Sequence, residues 1–130
     1  MKKIKTITLF CAAILLSGCG SGNKAKNLVS DFLDVNLKNN DISDVEFSAL
    51  DSTSLVSDSI INVMRSDMGK SNVFKSGIKY ADRIKGQKLY FISVNYKASN
   101  GKEMKHTFYM NNNVNDVVCV KTDVVNTENI

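Results

Sequence analysis

The sequence predicts an α+β domain, with one N-terminal amphipathic helix packed on a curved antiparallel sheet of about four strands and a short helical insertion. Three observations predict it. An apolar stripe at helical spacing runs from Ala25 to Leu37. Two long runs between Tyr90 and Met110 alternate apolar and polar residues. Between those runs stands Ser99-Asn100-Gly101, a turn-forming tripeptide.

The chain opens on Met1-Lys2-Lys3-Ile4-Lys5, continues through an apolar run from Ile7 to Leu16, and reaches Leu16-Ser17-Gly18-Cys19. The apolar run is too short to cross a hydrocarbon core, which takes about 20 residues. Lysines flank it on one side only, as in a secretory signal. The pattern resembles a bacterial lipoprotein signal with its lipobox. The resemblance implies cleavage before Cys19, acyl chains on the Cys19 sulfur, and a mature protein held to a membrane. Each buried methylene contributes about 0.8 kcal/mol, so two or three chains anchor durably. Nothing from Cys19 onward is long and apolar enough for a second span.

The expected division is therefore a cleaved signal over 1–18, a lipidated cysteine with a short tether over 19–23, a single domain over 24–124 and a flexible tail over 125–130. Gly20-Ser21-Gly22-Asn23 has the composition of a flexible linker. It carries no acid, whereas surface-exposed lipoproteins of the Bacteroidota type often carry acids there. For a cell of that type, the missing acids imply a lipid-anchored protein of the outer membrane facing the periplasm.

Lys24 to Lys38 reads as helix, because Ala25, Leu28, Val29, Phe32, Leu33 and Leu37 recur at spacings of three and four. Asn39-Asn40 is a natural stop. Val45, Phe47 and Ala49 alternate with polar residues as a first strand, and Asp51 to Ser57 reads as loop. Asp58 to Met68 returns to helical spacing, with Ser57 placed to cap its start and Gly69 its end. Lys70 to Ser76 reads as loop, and Ile78 to Gln87 favours neither helix nor strand.

Tyr90 to Lys97 and Met104 to Met110 form the expected hairpin. A two-residue Asn-Gly turn would set Tyr96 beside Lys105 and mix the faces. A three-residue loop with Gly101 in a bulge instead pairs Tyr96 with Met104, Val94 with His106, Ile92 with Phe108 and Tyr90 with Met110. That register makes one face apolar, so burial selects it. Asn111 to Asn115 turns the chain again, and Val117 to Lys121 forms a last strand.

The order of elements resembles cystatin-like and NTF2-like domains, in which a curved sheet wraps one long helix. The lipobox, the helix Asn27-Leu28-Val29-Ser30-Asp31-Phe32-Leu33, the strand before Leu50-Asp51-Ser52-Thr53 and the hairpin at Ser99-Asn100-Gly101 are similar to small Bacteroidota-type envelope lipoproteins. That resemblance implies no established activity. Longer relatives carry an extended helical insertion where this chain has only the segment near Ile60.

Charge and cysteines exclude several classes. Three of the 17 Lys and Arg lie in the signal, leaving 14 against 13 Asp and Glu. The mature chain is nearly neutral and has no basic run with interleaved aromatics, so no nucleic-acid partner is expected. Cys11 leaves with the signal and Cys19 carries lipid, so Cys119 has no partner for an internal disulfide.

Candidate chemistry is sparse. Gly69-Lys70-Ser71 resembles the end of a phosphate loop, but Met64 stands where the first Gly belongs, and the segment follows a helix. Asn111-Asn112-Asn113, Asn115 and Asp116 offer oxygens, but not the carboxylates and closing Glu of a calcium loop. Asp31 and Asp34 read as a solvated helix face. His106 and Cys119 are the one orthodox base and nucleophile pair; a two-residue turn at Asn112-Asn113 would set them opposite each other, without an orienting group or oxyanion hole. No catalytic residue, cofactor or metal is expected. Asp51-Ser52-Thr53 and Asp58-Ser59-Ile60 resemble the O-glycosylation sequon of Bacteroidota-type cells, which implies glycan on Ser52 and Ser59.

The leading expectation is a non-enzymatic envelope lipoprotein that binds a protein or envelope polymer through the sheet or the middle segment. The first alternative is a periplasmic inhibitor or immunity lipoprotein. The second is a small enzyme or ligand carrier with a pocket between helix and sheet.

Overall fold

The computed structural model describes residues 19–125. The expected signal, 1–18, lies outside the described residues, as do residues 126–130 of the tail. The described chain is an α+β fold of two helices and an open five-stranded antiparallel sheet. In order these are α1 (Cys19–Asn36), β1 (Ser43–Phe47), β2 (Asp51–Thr53), α2 (Asp58–Gly69), β3 (Leu89–Lys97), β4 (Glu103–Met110) and β5 (Val117–Asp123). The sheet order is β1-β3-β4-β5, and β2 pairs with β3.

The apolar stripe of α1 faces the sheet as its spacing requires. Ala25, Val29, Phe32, Leu33 and Leu37 are buried against Ile92, Val94, Tyr96, Phe108, Met110 and Val120. Burying each large apolar side chain contributes about 1.5–3 kcal/mol before chain entropy is counted. Phe32 meets Phe108 edge to face at 5.2 Å between ring centres. Lys24 donates to the Asn113 carbonyl at one end of the sheet, and Asn39 donates to the Ser99 hydroxyl at the other.

The hairpin register follows the burial argument. Tyr96 pairs with Met104, Val94 with His106, Ile92 with Phe108 and Tyr90 with Met110. Gly101 takes φ +86°, the left-handed conformation that its turn requires. Ile92, Val94, Tyr96, Phe108 and Met110 are buried, while Tyr90 and Met104 are half-buried at the ends of the ladder.

Five local expectations are corrected. The expected tether over 19–23 is helical, because α1 begins at Cys19 despite Gly20 and Gly22. The loop expected after residue 50 contains β2, with Asp51 opposite Phe91 and Thr53 opposite Leu89. Its polar residues suit an outermost strand, where the ladder needs backbone groups and not apolar side chains. Val45 is exposed, because β1 is bulged between Ser43 and Glu46 and the alternation is lost there, and β1 ends at Phe47, before the exposed Ala49. Gly69 is the last residue of α2 and not its cap; Lys70 caps the helix by donating to Asp67 and Met68 carbonyls. The β4–β5 connection is longer than two residues, since Val114 turns at φ +55° and the ladder is irregular between Tyr109 and Met110. The Ser57 cap is as expected, its hydroxyl accepting from the Ile60 amide.

Helix α2 packs along β5 and encloses a second apolar cluster of Val56, Ile61, Met64, Leu89, Val118 and Cys119. Arg65 stitches it down, donating Nε to the Val118 carbonyl and Nη2 to the Ala81 carbonyl, both at 2.9 Å. Arg83 donates to the Val56 carbonyl and lies 3.5 Å from the Asp58 carboxylate.

Candidate functional site

The two residues with orthodox chemistry lie on opposite faces of the sheet. Cys119 pairs with Tyr109, and His106 pairs with Thr122. Alternation therefore turns the Cys119 side chain into the α2 cluster and the His106 side chain toward α1. The juxtaposition expected from a two-residue turn does not occur, because the longer Asn111–Asp116 connection shifts β5 by three positions. Burial pushes the Cys119 thiol up to about 11, against the pull of Arg65 and Arg83, so at neutral pH it is a protonated small apolar residue.

His106 is fully buried and has both ring nitrogens occupied. Nε2 lies 2.7 Å from the Tyr96 phenol and Nδ1 lies 3.0 Å from the Thr122 hydroxyl. The Thr122 hydroxyl in turn donates to the Met68 sulfur at 3.8 Å. One set of proton positions satisfies the whole chain: Tyr96 O–H donates to Nε2, Nδ1–H donates to Thr122, and Thr122 donates to Met68. Burial lowers the His106 pKa to about 4, with Asp123 pulling the other way, so the ring is neutral. Phe74 closes over it edge to face at 5.0 Å. This closed chain satisfies a buried polar group and offers no free nitrogen to a substrate.

The opposite face of the sheet carries a polar ladder. The Ser93 and Thr107 hydroxyls lie 2.9 Å apart, Thr107 donates to Asp123 Oδ2 at 2.7 Å, and Lys121 Nζ lies 2.9 Å from Asp123 Oδ1. Beside it the rings of Phe91 and Tyr109 stand 5.7 Å apart, both half-buried. Asn95 and Lys121 are exposed on the same face, so it presents aromatic and polar groups side by side. A shallow groove of about 430 Å³ lies elsewhere, between α1 and the loop before β3, with Phe32, Val35, Tyr80 and Asp116 in its walls. The Tyr80 phenol oxygen is buried with no hydrogen-bond partner among the described residues.

The remaining sequence candidates are dispersed. Asn111 spends its side-chain oxygen on the amides of Asn115 and Asp116, which makes it the organiser of a turn. Ser71 accepts from the amides of Val73 and Phe74 at the C-terminal end of α2, the wrong end of a helix for phosphate. Asp31 and Asp34 are exposed on α1. No group of three His, Cys, Asp or Glu side chains placed to hold a metal occurs among the described residues. Ser59 is exposed in the first turn of α2, and Ser52 is half-buried in β2 opposite Tyr90. Cys19 heads α1, and no helix among the described residues is long and apolar enough to cross a membrane.

Sequence reasoning placed His106 on the core face but missed Thr122, whose position depends on the irregular β5 register. Tyr96 was legible, since the correct hairpin register makes it the diagonal neighbour of His106. Compared with family models, curated proteins and solved structures, the chain matches none.

Proposed function

We propose that this chain is a non-enzymatic lipoprotein of the cell envelope, anchored through Cys19 in the outer membrane facing the periplasm, and that the outer face of its sheet binds a protein or envelope polymer. The observation that carries the reading is the pairing of half-buried Phe91 and Tyr109 with the Ser93–Thr107–Asp123–Lys121 ladder on the sheet face away from α1, beside the α2 cluster against which Tyr109 packs. Aromatic rings with adjacent polar groups supply contact area and orientation together. The one-helix-on-sheet arrangement supports a cystatin-like or NTF2-like architecture. The test is capture from crosslinked membranes and cosedimentation with purified cell-wall polymer. Phe91→Ala should reduce capture several-fold with the melting temperature nearly unchanged; undiminished capture by Phe91→Ala and Tyr109→Ala sinks this reading.

The groove at Tyr80 favours a second reading, a carrier for a small amphipathic ligand, since its volume and its mix of apolar and acidic walls suit one. Val35→Trp, at an exposed wall position, should fill the groove and abolish such binding.

A further inference from the structure

The start of α1, the β4–β5 connection and the start of β3 lie at one end of the sheet. Lys24 of α1 donates to the Asn113 carbonyl, and Tyr90 pairs with Met110. The same end receives two further loops. Strand β2 runs out past the Thr53–Leu89 pair into Leu55, and the turn Ile84–Gln87 leads directly into β3. Both loops expose large apolar side chains, Leu55 at 86% and Ile84 at 60%, with Ile60 exposed nearby in the first turn of α2. Lys85 and Lys88 follow Ile84 and are exposed. The opposite end, with the Ser99-Asn100-Gly101 hairpin, lies about 27 Å away along α1, taking about 1.5 Å per helical residue.

We propose that this end is a bilayer-facing surface, in which Leu55 and Ile84 enter the interface of a phosphoglyceride membrane while Lys85 and Lys88 reach its phosphates. The proposal rests on the lipid-anchor reading above and deepens it. Helix α1 begins with Cys19 at this end, so acyl chains on Cys19 would bring these loops to the membrane. A helix in place of a flexible tether holds the domain in that orientation. Lysine stems bury along apolar surface while their charge stays at headgroup level. Asp82 and Asp116 are also exposed at this end, so the surface is close to neutral. Contact therefore depends on apolar insertion and is weakly sensitive to salt.

The test uses the full chain expressed in a bacterium that processes lipoproteins, fed an alkyne fatty acid and purified in detergent. Leu55→Cys, Ile84→Cys and Asn100→Cys are each labelled with pyrene, Cys119 being fully buried, and reconstituted into vesicles of phosphatidylethanolamine and phosphatidylglycerol containing nitroxide lipids. Pyrene at 55 and 84 should be quenched several-fold more than at 100. Equal quenching at all three, with the fatty acid present on Cys19, overturns the orientation and leaves the anchor standing. Absence of fatty acid on Cys19 overturns both. Excimer emission at position 55 without lipid quenching assigns the patch to a second copy and overturns the membrane assignment.

Discussion

The phenol oxygen of Tyr96 lies 2.7 Å from Nε2 of His106, and both side chains are buried beneath α1. The contact gives each buried polar group a partner. Protonating His106 would put a charge into an apolar site, which is why burial lowers its pKa to about 4.

Stability should therefore depend on pH. The unfolded chain titrates its histidine near 6.5, and the folded chain near 4. Above pH 6.5 both states are neutral and the fold keeps its full stability. Between 6.5 and 4 only the unfolded state takes the proton, so stability falls as pH falls, by about 3 kcal/mol at pH 4. Urea midpoints measured across that range should fall in wild type and flatten in His106→Gln. A wild-type profile with no slope between pH 6.5 and 4 would falsify the neutral buried imidazole.

Tyr96→Phe removes the donor and leaves Nε2 unpaired in an apolar site. A loss of about 1–3 kcal/mol is expected. Desolvation raises the Tyr96 pKa to about 12. Alkaline absorbance titration should therefore show a late tyrosine step in wild type that the variant lacks.

Cys119 should be inert in the folded protein. Its side chain is fully buried and its thiol is pushed up to about 11. A disulfide reagent at neutral pH should modify it slowly in buffer and at once in denaturant. Cys119→Ser sets a hydroxyl among Ile61, Met64 and Val118 and should cost about 1–3 kcal/mol without abolishing the cellular role. Rapid modification of the native protein would place the thiol elsewhere.

Gly101 sits at φ +86° with open space around the position of a Cβ. The strain of a substitution is thus purely conformational. Gly101→Val should lower stability by about 1–2 kcal/mol and Gly101→Asn by less, since Asn tolerates the left-handed region. Equal melting temperatures for the two variants would contradict this ordering.

Cys19→Ala tests the anchor directly. The variant should lose the fatty-acid label and partition into the aqueous phase on detergent separation. Unchanged partitioning would remove the basis for the membrane reading.

The sequence was most informative where a single physical rule governed a stretch. Burial on one face set the β3–β4 register, and Gly101 punctuated it, so every partner from Tyr90 to Tyr96 was legible. It was least informative where backbone geometry overrode composition. Asp51-Ser52-Thr53 carries no apolar residue, yet pairs because β3 offers an open edge beyond β1. Gly20 and Gly22 are poor helix formers, but they continue a helix nucleated by the packing of Ala25 and Val29. Val114 takes a conformation that β-branched residues rarely adopt, and the β5 register moved with it. The outer-face ladder was hidden for the same reason, since Asp123 meets Thr107 only in that shifted register.

Helix α1 crosses the length of the sheet and is fastened at both ends, by Lys24 to Asn113 and by Asn39 to Ser99. A load applied at Cys19 therefore runs along the helix axis. It loads the contacts of Ala25, Val29, Phe32, Leu33 and Leu37 in shear and all together, instead of peeling them one at a time. Traction at that residue would be met by all the α1 contacts together, so the resistance is set by the same apolar stripe that folds this layer of the core.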